Sequence, residues 1–352
     1  MSHSEPLPKP DRQPDQEWPP EPTRHPMSRV PGPRSIEVPP PGGRRPERAF
    51  RRGDVYTRPV VDGQEVREST GRRLVTMVRS AFTSQAAHAE AQLEGRLRLR
   101  PGVTRTNTIA VLSPKGGVGK TTCTFLTGNL LASHLHLRTL AIDANPDFGT
   151  LGALAPDNTR SQRNLADVIA EMDTITSASE LYPYISPLPT GLHVLAAPAH
   201  AEVMARMTPE LYGRLVAFLG RFYDAVLLDL GTGITDPIAQ FALERADQSV
   251  VITTPEYVTA STVLGALRHL RGDEASHHLT VVLNQAPAGN AGERDVIESE
   301  FRRQNIERRV IVPYDQQLRT MLDSGTYSLD ALGRTTRMPI KQLGVHVSEQ
   351  LV

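Results

Sequence analysis

The segment Ser113-Pro114-Lys115-Gly116-Gly117-Val118-Gly119-Lys120-Thr121-Thr122 constrains the fold more than any other stretch of the chain. It follows an apolar run, Thr108-Ile109-Ala110-Val111-Leu112, and opens a helix-forming stretch from Thr121 to Leu135. A strand that feeds a glycine-rich loop ending in Gly-Lys-Thr at a helix N-terminus is a phosphate cradle. Glycines let successive backbone N–H groups turn toward an anion, and the helix dipole adds positive potential there. In such a cradle Lys120 reaches the β- and γ-phosphates of a nucleotide, and the Thr121 hydroxyl ligates Mg²⁺. A glycine-rich turn with chance lysines would not need a strand before it and a helix after it.

Beyond Pro101 short apolar runs alternate with longer amphipathic ones. Strands are expected over 108–112, 139–143, 193–196, 225–230, 249–254, 280–283 and 310–312. Helices are expected over 121–135, 165–172, 209–222, 237–244, 258–270 and 293–304. Thr208 before Pro209 reads as an N-cap followed by a first-turn proline. This alternation predicts an α/β fold, a doubly wound, mostly parallel sheet with helices on both faces. Ligands of such sheets sit beyond the carboxyl ends of the strands, where the glycine-rich loop emerges.

Charge and proline divide the chain. The 352 residues balance 39 Lys and Arg against 39 Asp and Glu, yet residues 1–100 hold 18 against 13, leaving 21 against 26 for 101–352. Residues 1–62 hold 15 of the 29 prolines and few aliphatics, so a disordered or polyproline-like tail is expected there. Its basic cluster, Arg44, Arg45, Arg48, Arg51 and Arg52, suits nucleic acid, anionic lipid or an acidic partner, and equally a solvated tail. From 63 to 102 helix formers dominate, with Leu74, Val78, Ala81 and Phe82 on one face. That amphipathic linker reads either as a docking helix for a partner or membrane surface, or as a helix packed on the domain that follows. The domain itself is expected over 103–352.

The single cysteine, Cys123, excludes a disulfide framework and offers no pair for an iron–sulfur cluster. Just inside a helix, it reads as a small buried hydrophobe. No apolar run approaches about 18 residues, so no membrane span is expected. The start, Met1-Ser2-His3-Ser4-Glu5, lacks the regions of a signal peptide, which gives the expectation of a cytoplasmic protein.

The usual G-x-x-x-x-G-K-[ST] pattern is not met in full, because Pro114 occupies the first glycine position. What stands instead, Lys115-Gly116-Gly117-Val118-Gly119-Lys120-Thr121-Thr122, resembles the deviant Walker A motif of the MinD/ParA family of P-loop ATPases. The resemblance implies ATP and Mg²⁺ as ligands and an ATP-dependent homodimer. It also implies that Lys115 reaches across the dimer to the partner's nucleotide.

The second expected strand ends in Asp143-Ala144-Asn145-Pro146-Asp147, where relatives read Asp-x-Asp before a switch loop. Asp143 matches the first carboxylate, near Mg²⁺. Asn145 replaces the second, which positions the attacking water; an amide hydrogen-bonds but accepts no proton, so slow hydrolysis is expected. Asp147 is displaced by about 6–7 Å of extended chain and is a poor substitute. The run Ala225–Leu230 ends near Asp229 and resembles a Walker B strand whose carboxylate serves Mg²⁺. Gly231 and Gly233 would let the backbone pass close to the γ-phosphate. Asn284 resembles the family's adenine-reading asparagine, and Pro313 and Asp315 resemble the segment bordering the base. Thr253-Thr254-Pro255-Glu256 also resembles a family strand end, with no chemistry assigned.

The resemblance spans about residues 105–330. The string from Ser113 through Thr122, together with Asp143-Ala144-Asn145-Pro146-Asp147-Phe148-Gly149-Thr150-Leu151, is similar to MinD-like ATPases associated with type VII secretion. It implies an ATP-driven dimerisation switch governing assembly, positioning or secretion by a larger machine, contacted through residues 1–100. A ParA-type partition ATPase, binding DNA through a basic surface, is the first alternative, and the acidic balance of 101–352 speaks against it. A non-hydrolysing ATP-bound scaffold is the second. Arg334–Val352 has too little apolar bulk for a membrane-binding helix and is expected to pack as an ordinary terminal helix.

Overall fold

The computed structural model describes residues 85, 87–99, 102–145, 149–233, 236–270, 278–287 and 291–352. The proline-rich tail, the amphipathic face of Leu74 to Phe82, and Asp147 lie outside the described residues.

Strand β1 (Asn107–Ser113) sets the layout. Its residues are buried except for half-buried Thr108, which requires cover on both faces. It pairs in parallel with β5 (Ala225–Thr232) on one side and β6 (Gln248–Thr253) on the other. Outside β5 lie β2 (Thr139–Ala144) and β4 (His193–Leu195), and outside β6 lie β7 (Leu279–Ala286) and β8 (Arg309–Pro313). The two-residue β3 (Ser186–Pro187) pairs antiparallel with β4. The order is β3-β4-β2-β5-β1-β6-β7-β8. The chain builds away from β1 on one side, returns through β5, and continues on the other. The reversal beside β1 opens a crevice at its carboxyl end.

Helix α1 (87–98) precedes the sheet, and α2 (Lys120–Ser133) follows β1 directly. Between β2 and β5 come α3 (Leu165–Glu171), α4 (Ala178–Leu181), α5 (Ala201–Met204) and α6 (Pro209–Leu219). The second half supplies α7 (Pro237–Arg245), α8 (Tyr257–Leu270), α9 (Ala291–Arg303), α10 (Gln316–Asp323) and α11 (Arg334–Ser348).

Alternate strand residues enter two separate apolar clusters. Ala110, Leu112, Leu140, Ile142, Val226 and Leu228 face one, with side chains of α3, α6, α7, α8 and α9. Ile109, Val111, Ala141, Ala225 and Leu227 face the other, with α2 and α11. Each fully buried aliphatic contributes about 1.5–3 kcal/mol. A one-residue slip would turn each strand's whole set over, so the register is firmly held. Cys123 lies in the second cluster, fully buried, with its thiol pushed up to about 12 by burial.

Local chemistry ends the helices. Thr208 caps α6 ahead of Pro209, accepting from the Leu211 N–H at 3.4 Å, and Asp236 caps α7 ahead of Pro237. Helix α2 stops at Ser133, short of the expected Leu135, because His136 takes a left-handed φ of 54° to turn the chain into β2. Helix α6 stops at Leu219, ahead of a Gly220 C-cap. β3 is not foreshadowed by periodicity, being two residues long with a proline, whereas α10 follows from the i, i+3, i+4 spacing of Leu318, Met321 and Leu322 in an otherwise polar stretch. The terminal helix α11 packs on α2 and β8 with Ile340, Leu343, Val345 and Val347 buried. No helix among the described residues is long and apolar enough to cross a membrane.

Candidate nucleotide-binding site

The loop between β1 and α2 is shaped by Gly117 at φ 76° and Gly119 at φ 91°. Gly119 is the N-cap of α2 and brings no side chain to satisfy the first-turn N–H groups. Those donors have no partner within the helix either, so they are available to an anion. A Cβ at Gly119 would lie 2.2 Å from Asn284 Nδ2, so glycine is required there by space as well as by φ.

A cleft of about 710 Å³ opens over this loop. Its floor is formed by Gly116, Gly117, Gly119, Lys120, Thr121 and Thr122, with Asn145 and Thr150 from the loop after β2. Asn284 and Gln285 close one side, and Pro313, Tyr314, Asp315, Leu318, Arg319, Leu322 and Asp323 form the far wall. The fold thus brings together ten residues expected from sequence to bind nucleotide or act on it. Lys115, Val118, Asp143 and Asp229 lie outside the lining.

Beneath the floor, Asp229 Oδ2 accepts from the Thr121 hydroxyl at 2.7 Å and Oδ1 from the Thr124 hydroxyl at 3.1 Å. Asp143 stands at the same register on the neighbouring strand. It accepts from the Leu151 N–H at 2.9 Å and the Asn145 N–H at 3.4 Å, which folds the loop after β2 over its carboxylate. Gly149 passes so close that a Cβ there would sit 2.2 Å from Asp143 Oδ1. Burial first, and then the charge of Asp229, pushes the Asp143 carboxyl up to about 7. Burial likewise pushes Asp229 up to about 6, against the opposing pull of Thr121, Lys120 and Thr124. Burial pulls the buried Lys120 ammonium down, with Asp229 and Asp143 opposing.

Lys115 projects elsewhere. Its Nζ donates to Thr259 Oγ1 at 2.9 Å and meets Glu256 Oε2 at 3.5 Å, at the start of α8. Asn284 donates from Nδ2 to the Val118 carbonyl at 2.8 Å, bracing the loop. Gln285, at φ 57°, donates to the Gly117 carbonyl at 3.3 Å. Asp315 caps α10, accepting from the N–H groups of Gln317 and Leu318 and from the Thr336 hydroxyl. Burial raises its carboxyl, but those donors outweigh burial and hold it below the usual range.

A family profile described as an AAA domain matches residues 106–271. Among solved structures the chain is similar to a ParA family ATPase from Chlorobium tepidum, with a TM-score of 0.57 and 23% identity, over 67% of this chain and 98% of that one. It is also similar to the septum site-determining protein MinD of Pyrococcus horikoshii complexed with Mg-ADP, with a TM-score of 0.51 and 19% identity, over 68% and 94% of the two chains. The chain shares the fold of these MinD and ParA proteins. The ESX-1 secretion-associated protein EspI of Mycobacterium tuberculosis is 28% identical over 266 residues, or 74% of this chain. This chain spans 39% of EspI's length.

The donor set beside the glycine-rich loop suits Mg²⁺. Thr121 and Asp229 present hard oxygens beside the phosphate loop. Among the described residues no group of three His, Cys, Asp or Glu side chains could hold a metal by itself. One or two carboxylates completed by phosphate oxygens and water is how Mg²⁺ is usually held.

Several partners escaped the sequence reading. Thr124, three residues after Thr121 on the same helix face, could have been found by that spacing. Glu256 and Thr259 lie in or beside a segment whose resemblance was visible but whose contact with Lys115 crosses 141 and 144 residues. The wall provided by α10 was overlooked although Leu318, Met321 and Leu322 stand at i, i+3 and i+4, the spacing of one helix face.

Proposed function

We propose that this protein binds ATP with Mg²⁺, hydrolyses it slowly, and thereby switches between a free protomer and an ATP-bound homodimer. The placement of Lys115 carries this reading. Its side chain is about half exposed, and its ammonium reaches Thr259 and Glu256 rather than the loop it belongs to. An amine so placed can be presented to the phosphates of a second protomer meeting it face to face. It would stabilise the charge that develops during phosphoryl transfer.

Within one protomer, Lys120 and the open N–H groups of α2 would hold the phosphates. Thr121 and Asp229 would hold Mg²⁺, whose charge offsets that of the phosphates when it is bound. Asp143 keeps the loop after β2 folded near the γ-phosphate position. Asn145 lines the cleft and can orient a water by hydrogen bonding, but its amide takes no proton, which is the basis for slow turnover. Asn284, Pro313 and Asp315 line the region assigned to the base. The same Asn145 favours a second reading, a scaffold that binds ATP without hydrolysing it.

The similarity to a secretion-associated protein supports a type VII secretion system as the larger machine, with residues 1–100 as the contacting region and the cytoplasmic side of the membrane as the place. DNA partition is the weaker reading, given the acidic excess of residues 101–352. Light scattering of the purified chain with ATP–Mg²⁺, with ADP and without nucleotide, alongside phosphate release, tests the switch. Dimers seen with ATP alone and slow release support it. Permanent monomers that bind ATP overturn the dimer, and dimers that never release phosphate leave the scaffold.

A further inference from the structure

A charged clasp joins α1 to α11. Glu90 accepts from Arg337 Nε at 2.7 Å and Lys341 Nζ at 3.3 Å, and it pairs with Arg334 at 3.4 Å. Glu94 accepts from Lys341 at 2.6 Å. Lys341 is only 2% exposed, so the two carboxylates from α1 neutralise a cation that water barely reaches. Further along, Arg96 pairs with Glu349. The apolar side of the clasp is Leu97, which lies with Leu130 of α2 over Gly344. A Cβ at Gly344 would fall 2.8 Å from Leu130 and 3.3 Å from Leu97, so the bare backbone of α11 makes room for both.

The residue before Arg337 is bonded to a residue of the cleft wall. Thr336 is buried and donates to Asp315, the cap of α10, and α10 supplies Leu318, Arg319 and Leu322 to the cleft wall. Leu97, Leu130, Leu318 and Ile340 belong to one apolar cluster. The first turns of α11 are therefore gripped from two directions, by α1 through Arg337 and by the cleft wall through Thr336. Undocking α1 would leave Lys341 buried without its counter-charges, an arrangement that forces the start of α11 to rearrange.

We propose that α1 is a strap whose docking is coupled to occupancy of the cleft. Docked, it fixes the start of α11, and with it the Asp315 cap and the α10 wall, so the protein binds nucleotide more tightly. Bound nucleotide in turn holds the strap down, because such coupling is reciprocal. A partner that engages the chain N-terminal to α1 and pulls the strap away would lower nucleotide affinity. This inference rests on the nucleotide reading of the cleft.

The test uses the full chain. Hydrogen exchange over 87–98 is compared with and without ATP–Mg²⁺, and ATP–Mg²⁺ affinity is measured by calorimetry for wild type, E90Q/E94Q and Thr336→Val. Exchange over 87–98 should slow by at least about fivefold with ATP, and E90Q/E94Q should weaken ATP binding by a similar factor. Thr336→Val should leave exchange of α1 at its nucleotide-free rate whether or not ATP is present. Tight ATP binding with unchanged exchange in 87–98 overturns the strap while leaving the nucleotide site standing. Absence of ATP binding by the wild type overturns the site and the strap with it. Should E90Q/E94Q fail to fold, the wild-type exchange comparison decides.

Discussion

Asp143 and Asp229 stand opposite one another on adjacent parallel strands, at the same register and both almost fully buried. Asp229 has the hydroxyls of Thr121 and Thr124 as donors, whereas Asp143 is held by the N–H groups of the loop that crosses it. Two carboxyls so close cannot both ionise cheaply without a cation.

That pair makes stability depend on pH. Folded-state values of about 7 for Asp143 and about 6 for Asp229 lie above the ordinary value of about 3.9 for an unfolded aspartate. The folded chain therefore holds more protons between about pH 4 and pH 7, so this stabilisation is complete below about pH 4 and is lost as pH rises through the folded values. Thermal unfolding in EDTA should show the melting temperature falling from pH 5 to pH 8. Asp143→Asn should remove most of the fall and gain on the order of 2 kcal/mol at pH 8. A wild-type profile that is flat across this range would contradict the assignment.

Thr124→Val should leave Asp229 Oδ1 without its donor inside the protein. The expected cost is about 1–2 kcal/mol of stability, read from denaturant unfolding. Mg²⁺-dependent nucleotide binding should weaken as well, since the remaining bond from Thr121 alone no longer fixes the carboxylate.

Lys120→Ala should reduce ATP affinity by about two orders of magnitude, the scale of a lost charged hydrogen bond in a half-closed site. Lys115→Ala should bind ATP like the wild type and fail to dimerise in light scattering. If the two variants behave alike, the separate assignment of the lysines is wrong.

Gly119→Ala should cost about 1–3 kcal/mol, because a left-handed φ and a 2.2 Å approach to Asn284 both penalise a methyl group. The loss should appear in melting temperature even without nucleotide. Shortening the side chain in Asn284→Ala should restore part of it in the double variant, which a purely backbone penalty would not allow.

Asn145→Asp should raise ATP turnover by about tenfold or more, toward the contribution of a positioned carboxylate. Phosphate release at saturating ATP is the readout. An unchanged rate would show that the water is oriented by another group.

Much of the fold was legible because β1, β2, β5 and β7 are buried on both faces and read as nearly unbroken apolar runs. The helix ends were less so: α2 stops at a left-handed His136 that no local pattern announces. Among site residues, those in the loop from Gly116 to Thr122 were readable because each role is local, a φ, an open N–H or a side chain on the first turn. Asp143 and Asp229 were readable as strand ends, but their shared register was not.

The sequence by itself determined the phosphate cradle, the strand that feeds it and the alternation that builds the sheet, since these rest on residues within a few positions of one another. The tertiary structure decided what the cradle meets: Thr259 and Glu256 against Lys115, Asn284 against the loop backbone, and α1 clasped to α11 through Glu90 and Lys341. These contacts join residues more than a hundred positions apart. Side-chain pairing over such distances follows from strand order and packing, which local propensity does not encode.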